Sequence, residues 1–169
     1  DGTSGNGANK NAPVEISTAT DWKAVAAGYG HTLAIKTGGT LYGWGLNNYG
    51  QLGDGTSSQH LSPVQSGTAT DWKSVVAGDY QTVAVKTGGT LYAWGDNYYG
   101  QVGDGTTNNE HAPVQIGTAT WSAIAAGEGH TVAVKSDGTL WAWGYNYFGE
   151  LGNGSSGEDQ NRNTPINIP

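Results

Sequence analysis

The sequence predicts an all-β fold of propeller type, built from four-stranded antiparallel blades that bury their faces on one another. The first observation behind this is a repeat. The stretch Trp22–Gly55 returns at Trp72–Gly105 and again at Trp121–Gly154, offset by 50 and then 49 residues. A fixed period of this length marks one supersecondary unit used several times. The second observation is that no stretch has a helical period. Apolar residues fall in short runs bounded by Gly, Asn or Pro. The third is that both faces of these runs carry apolar groups, large on one face and small on the other, as a sheet covered on both sides requires.

Each repeat holds four strand-like runs. In the first copy they are Trp22–Gly28, His31–Thr37, Thr40–Gly45 and a short run around Pro63–Gln65. The first run is rich in small residues (Ala24, Ala26, Ala27 and Gly28), which suits the narrow inner end of a wedge next to the central axis. In the second run His31, Leu33 and Ile35 share one face, and Thr32, Ala34 and Lys36 the other. In the third run Tyr42 and Trp44 lie together, opposite Leu41, Gly43 and Gly45. The turn between the second and third runs is Gly38-Gly39, Gly88-Gly89 or Asp137-Gly138, read as a two-residue hairpin turn with both central residues at positive φ. The fourth run contains Pro, so it belongs at the outer edge, where a missing N–H costs least.

The repeat divides the chain into residues 1–21, an outer strand and linker of a preceding repeat, and three blades at 22–71, 72–120 and 121–169. Together these make one propeller-type domain. The opening Asp1–Ile16 matches the closing Asn153–Ile168: both place Pro twelve positions after the Asp or Asn, against nine in Asp54–Pro63 and Asp104–Pro113. Pro13–Ile16 is therefore expected to be an orphan outer strand, pairing with a neighbouring chain or folding onto the first blade. Propellers close with about four to eight blades. Three complete blades imply either a piece of a longer protein or a ring completed by other copies.

Composition excludes several functions. Seven Lys or Arg against fourteen Asp or Glu give a net charge of −7, and no basic cluster exists. That argues against nucleic acid as a partner, since phosphate binding needs concentrated positive charge. With no Cys there is no thiolate chemistry, zinc-thiolate site or disulfide framework. No apolar run approaches the roughly 20 residues of a membrane span. No signal peptide is visible.

The pattern W-x-x-[VI]-x-A-G-x-x-[HQ]-T-[LV]-A-[IV]-K, followed by G-T-L-[YW]-x-W-G-x-N-x-[YF]-G-[QE]-[LV]-G-[DN]-G, closely resembles the repeat of the regulator of chromosome condensation family. It covers essentially the whole chain three times over. The resemblance implies a β-propeller of four-stranded blades, usually seven. The family includes a guanine-nucleotide exchange factor for a small GTPase that also binds chromatin, photoreceptors, ubiquitin-ligase modules and a secreted bacterial inhibitor of β-lactamases. Exchange in that family depends on a projecting β-wedge insertion and a full ring. No insertion longer than three residues occurs here, and there is no basic tail, so exchange activity and chromatin binding are not carried over. Polar Asn/Thr/Gly-rich loops and scarce Lys give a composition closer to bacterial surface or secreted members, which favours an extracellular or cell-surface location.

Most recurring residues have structural explanations. His31 and His130 share a repeat position with Gln81. Gln can replace a His that hydrogen-bonds, but not one that binds metal or shuttles protons. A buried hydrogen bond is expected there. His60 and His111 are expected to be exposed. Asp54, Asp104, Asn153 and Asp1 begin [DN]-G-[ST] turns, which Asx capping explains. Calcium ligation has no supporting loop spacing. Trp44, Trp94 and Trp143, with Tyr42, Tyr92 and Trp141, are expected in interblade core. Gln51, Gln101 and Glu150 are read as fixing loops. Asn47, Asn97 and Asn146, with Tyr49, Tyr99 and Phe148, are read as structural.

The candidate binding residues are positions that differ between copies while their neighbours stay fixed: Tyr29, Leu46, Asn48, Asp79, Tyr80, Asp96, Tyr98, Glu128, Tyr145 and Tyr147. Tyr, Asn and Asp supply rigid contact area with adaptable hydrogen bonds, as in a paratope. These residues predict a non-enzymatic scaffold that binds a protein partner, or other copies of itself, through a loop rim. The alternative is a carbohydrate-binding module, with Tyr80, Tyr98 or Tyr147 stacking on sugars and Asp79, Asp96 and Asn48 bonding hydroxyls. No nucleophile stands beside a base, no metal set is present, and no phosphate loop precedes a helix, so no enzyme, cofactor or metal is expected. Asp79, Asp96 and Glu128 are the nearest approach to a carboxylate pair.

Overall fold

Alternating runs separated by glycine turns become the strands of three successive meanders. The computed structural model describes residue 2, residue 5 and residues 7–169. Asp1, read above as starting a further turn, lies outside them. The first meander is β1 (Trp22–Ala27), β2 (His31–Lys36), β3 (Leu41–Gly45) and β4 (His60–Gln65). The second is β5 (Trp72–Ala77), β6 (Gln81–Lys86), β7 (Thr90–Gly95) and the first part of β8 (Glu110–Ala126). The third uses the end of β8, then β9 (His130–Lys135), β10 (Leu140–Gly144) and β11 (Arg162–Ile168). One 3-10 turn, Glu158–Gln160, precedes β11. No α-helix occurs among the described residues, and no helix is long and apolar enough to cross a membrane.

All strand pairs are antiparallel, in the order β1-β2-β3-β4 and β5-β6-β7-β8-β9-β10-β11. The second sheet runs through two blades because β8 serves both. Its Val114 pairs with Ala93 as the outer strand of blade 2, and its Ile124 pairs with Ala133 as the inner strand of blade 3. Between blades 1 and 2 the corresponding strands, β4 and β5, are separate.

The cross-strand register confirms the expected faces. Thr32 sits opposite Trp44 and Ala34 opposite Tyr42, whereas Leu33 faces Gly43 and Ile35 faces Leu41. Each blade thus has an aromatic face and an aliphatic face, and the aliphatic face of one packs on the aromatic face of the next. Leu33, Ile35 and Leu41 meet Trp72, Ala84 and Trp94. Val83, Val85 and Leu91 meet Trp121, Ala133 and Trp143. The first strands lie innermost. A Cβ on Gly28 would overlap the Gly78 carbonyl, and one on Gly78 would overlap the Gly127 carbonyl, so only glycine lets these backbones converge.

Three expectations need correction. The hairpin turns are not two-residue loops with both centres at positive φ. Only Gly39, Gly89 and Gly138 have positive φ; Gly38, Gly88 and Asp137 do not. Gly39 N–H donates to the Lys36 carbonyl and Lys36 N–H to the Thr40 carbonyl, the pattern of a three-residue loop whose last residue is a left-handed bulge. Pro13–Ile16 forms no strand, and Val14 and Ile16 are each 47% exposed. An outer strand is held by the third strand of its own blade, and no described strand pairs with this segment. The leading segment instead touches blade 1 through Gly2, whose N–H donates to the Leu61 carbonyl. His60 is not simply exposed: its Nε2 lies 2.8 Å from Asp54 Oδ2. His111 is exposed, but its carbonyl accepts from Gly55 N–H at 2.9 Å, latching a loop of blade 1 to the outer strand of blade 2.

Candidate functional site

The loop that follows each Trp-Gly pair is fixed from within. Asn47, Asn97 and Asn146 are fully buried. Asn47 Oδ1 accepts from Leu52 N–H, while its Nδ2 donates to Asp54 Oδ1 and the Thr56 and Ser58 carbonyls. Asn97 and Asn146 repeat the scheme with Val102 and Asp104, and with Leu151 and Asn153. Asp54 accepts from Thr56 N–H and its hydroxyl at 2.9 Å, an Asx-type turn. Burial alone would raise the Asp54 carboxyl, but the hydrogen bonds from Thr56, His60 and Asn47 outweigh it and hold it below its ordinary value. Gln51, Gln101 and Glu150 each accept from the backbone N–H two residues earlier. Side chains around this frame are therefore displayed on a fixed base.

The His/Gln position is also structural. His31 is 2% exposed, with Nε2 3.2 Å from Thr82 Oγ1 of the next blade. Burial pushes its pKa down to about 4, opposed by the pull of the Asp79 backbone carbonyl, which favours a protonated ring. Burial likewise lowers that of His130, opposed by Glu150. At the middle position Gln81 Nε2 donates to the Gly127 carbonyl. The buried His31 imidazole is neutral at pH 7, and His31 and Gln81 each tie their blade to the next.

On the loop rim, six of the ten candidates line one cavity of about 630 Å³: Asp79, Tyr80, Asp96, Tyr98, Glu128 and Tyr145. It is centred on blade 2 and takes residues from all three blades. Its shape follows from how two loops fill one another. In blades 1 and 3 the inner loop has Gly30 or Gly129, covered by Leu46 or Tyr145 from the second loop. In blade 2 the inner loop carries Tyr80, and the second loop the short Asp96. Asp96 is braced: its Oδ2 accepts from Gln101 Nε2 at 2.8 Å.

Two aromatic groups flank the cavity. Tyr80 contacts Tyr29 and Tyr49, with ring centroids 5.5 and 5.3 Å apart. Tyr99 contacts Tyr98 and Tyr145 at 4.9 and 4.6 Å, and Tyr147 stacks on Tyr145 at 6.2 Å. Partial desolvation, followed by Tyr29, Asp79, Tyr49 and Asp96, raises the Tyr80 phenol above its ordinary value. Partial desolvation, followed by Tyr99, Glu150, Tyr147 and Glu128, does the same for Tyr145. Both phenols remain protonated donors at neutral pH.

The other four candidates lie off this lining. Tyr29 is 73% exposed beside Tyr80, and Tyr147 lines a neighbouring depression with Tyr98 and Asn161. Leu46 is half-buried over Gly30, and Asn48 is exposed away from the cavity. The structure adds lining residues that the sequence reading set aside: Tyr49, Tyr99, Gln101 and the segment Thr107–Asn109. That segment differs between copies (Ser57-Ser58-Gln59 in the first), so the variation that marked the other loops also marks this one. Among the described residues no group of three or more His, Asp or Glu side chains could hold a metal.

Two family models, both described as the regulator of chromosome condensation (RCC1) repeat, match the chain. One covers residues 38–85, 88–134 and 137–169, and the other 22–51, 72–101 and 121–150. Among solved structures, Prp20p of Saccharomyces cerevisiae superposes with a TM-score of 0.79 at 23% identity over 88% of this chain. Human WBSCR16 does so with a TM-score of 0.74 at 26% identity over 88% of the chain. The ectodomain of the Physcomitrella patens receptor kinase CR4 gives 0.56 at 18% identity over 85%. The chain spans 38%, 38% and 35% of their respective lengths.

Proposed function

The chain belongs to the regulator of chromosome condensation repeat family, and from that premise we propose that it is a non-enzymatic protein-binding module whose contact surface is the tyrosine- and carboxylate-rich loop rim centred on blade 2. One observation carries the reading. Six variable residues, chosen only because they differ between otherwise similar repeats, come together around a single cavity. Their chemistry suits an interface: rigid aromatic rings for contact area, ringed by polar groups with hydrogen-bonding capacity to spare. The fold supplies what such a surface needs, since the loops rest on buried Asn frames and do not have to be ordered on binding. Prp20p is described by its binding to Gsp1p and histones, so a relative of this fold works through protein contacts.

The test is capture of partners from extracts of the source cells by the immobilised protein, compared with a Tyr80→Ala/Tyr98→Ala/Tyr145→Ala variant and a control altered at exposed Thr68 and Thr118. A partner retained by the control and lost by the rim variant is expected. Equal capture by all three proteins would overturn the reading.

A further inference from the structure

We propose that the cavity on blade 2 is a receptor for a cationic side chain, Lys or Arg, projected by a basic segment of a partner protein. This rests on the protein-binding reading and specifies its chemistry. The cavity of about 630 Å³ lies in the range of about 300–1,000 Å³ typical of ligand sites. Its lining combines five phenol rings (Tyr49, Tyr80, Tyr98, Tyr99 and Tyr145) with three carboxylates (Asp79, Asp96 and Glu128), and it contains no Lys, Arg or His. Ring faces attract a cation through their quadrupoles, and more strongly once water is excluded. Carboxylates at the wall then supply charge-assisted hydrogen bonds. Asp96 is held by Gln101 and so is already oriented. An anionic ligand would be repelled. A neutral ligand could donate hydrogen bonds to these carboxylates but would leave their negative charge uncompensated.

The molecule itself uses the same chemistry elsewhere. Lys36 lies 5.0 and 5.5 Å from the ring centroids of Trp22 and Tyr42 and pairs with Asp21 at 3.0 Å. Lys86 repeats this arrangement with Trp72, Tyr92 and Asp71. In those places two aromatic rings and one carboxylate already hold an ammonium group. The cavity offers the same ingredients in greater number with no cation of its own. The net charge of −7 adds long-range attraction for a basic partner.

The experiment is an NMR titration of the protein with a short arginine-rich peptide, its uncharged citrulline counterpart and a chitin oligosaccharide, following the tyrosine rings and backbone amides. The arginine peptide is expected to shift Tyr80, Tyr98, Tyr99 and Tyr145 selectively, with affinity falling as salt rises, while the citrulline peptide does not. The double variant Asp79→Asn/Glu128→Gln leaves the Asp96–Gln101 brace intact. It is expected to lower affinity about five-fold, the loss of two partly exposed charge contacts, with an unchanged amide spectrum as the folding control. Equal shifts from the arginine and citrulline peptides would overturn the proposal. Shifts from the sugar alone would overturn both it and the protein-binding reading. No shift from any probe, with partner capture still lost in the rim variant, would overturn the cationic receptor and leave the protein-binding reading standing.

Discussion

Blades 2 and 3 carry nearly the same motif and have different surroundings, and the difference shows how little of a blade's core belongs to the blade itself. Val83 and Leu91 of blade 2 are fully buried, and Val85 is 3% exposed. Their counterparts in blade 3 are half-buried Val132 and Val134 and the 41% exposed Leu140. Tyr99 is partly covered by Tyr145 and Gly129 of the following blade, whereas Phe148 at the same position is 81% exposed. The opposite end mirrors this. Trp94 and Trp143 are fully buried against the preceding blade, while Trp44, at the outer face of the first described blade, is half-buried. The aliphatic face becomes core only under the following blade, and the aromatic face only on the preceding one. Burial is a property of the interface between repeats.

The comparison is sharpest at the tryptophans. Trp94→Ala is expected to cost about 4 kcal/mol, because it empties a filled site and removes the hydrogen bond from Nε1 to the Gln51 carbonyl. Trp44→Ala should cost less than half of that. Denaturant melts of the two variants measure it, and equal losses would break the interface account. The leucines test the other face. Leu91→Ala should lose about 3 kcal/mol and Leu140→Ala about 1 kcal/mol, since the second already faces water.

The third test is pH. His31 is held neutral by burial, with a folded pKa of about 4 against 6.5 for the free side chain. The unfolded chain therefore binds the proton more readily, and stability falls as pH drops from about 6.5 towards about 4. The loss approaches about 3 kcal/mol at the acid end. His31→Gln copies what blade 2 has at Gln81 and should flatten that stretch of the stability–pH curve. An unchanged slope would mean that His31 is not the group responsible.

The smallest effects lie in the hairpin turns. Gly39→Ala combines positive φ with a collision at the Thr70 carbonyl, where the chain enters blade 2, whereas Gly138→Ala meets nothing within 4 Å. The second should show only the left-handed strain of about 1 kcal/mol, and the first more. Gly38→Ala has neither penalty and should be neutral or slightly stabilising.

The fold was legible because its determinants are local and repeated: short alternating runs, a glycine turn every period, and small residues in each first strand. The exact turn was not. Thr37-Gly38-Gly39-Thr40 is compatible with two loop lengths, and the choice is made by which carbonyl accepts the Gly39 N–H. The missing strand at Pro13–Ile16 shows a second limit, since a sequence match to an outer strand does not supply the partner that makes it one. On the rim, variation between copies found Tyr80, Asp96 and Tyr145. It could not show that Tyr49 and Tyr99, which recur at one position as aromatics, both line the cavity and pack on Tyr80 and Tyr145 of the following blades. The deletion behind the shorter second offset has a local meaning too. Thr120 stands where Asp21 and Asp71 pair with lysines, and Lys135 instead lies 3.4 Å from the Trp141 ring centroid.

The latches between blades also govern how the chain can assemble itself. Gly55 N–H reaches the His111 carbonyl, Gly105 N–H reaches Asn163, and the Trp94 and Trp143 indoles reach the Gln51 and Gln101 carbonyls. Each of these bonds joins a blade to its immediate neighbour, and the side-chain latches among the described residues close chain loops of between 30 and 58 residues. The entropy of loop closure is thus set by the length of one repeat and does not grow with the number of repeats. A blade can fold on whichever neighbour is already formed, so folding can begin at any interface and spread in either direction.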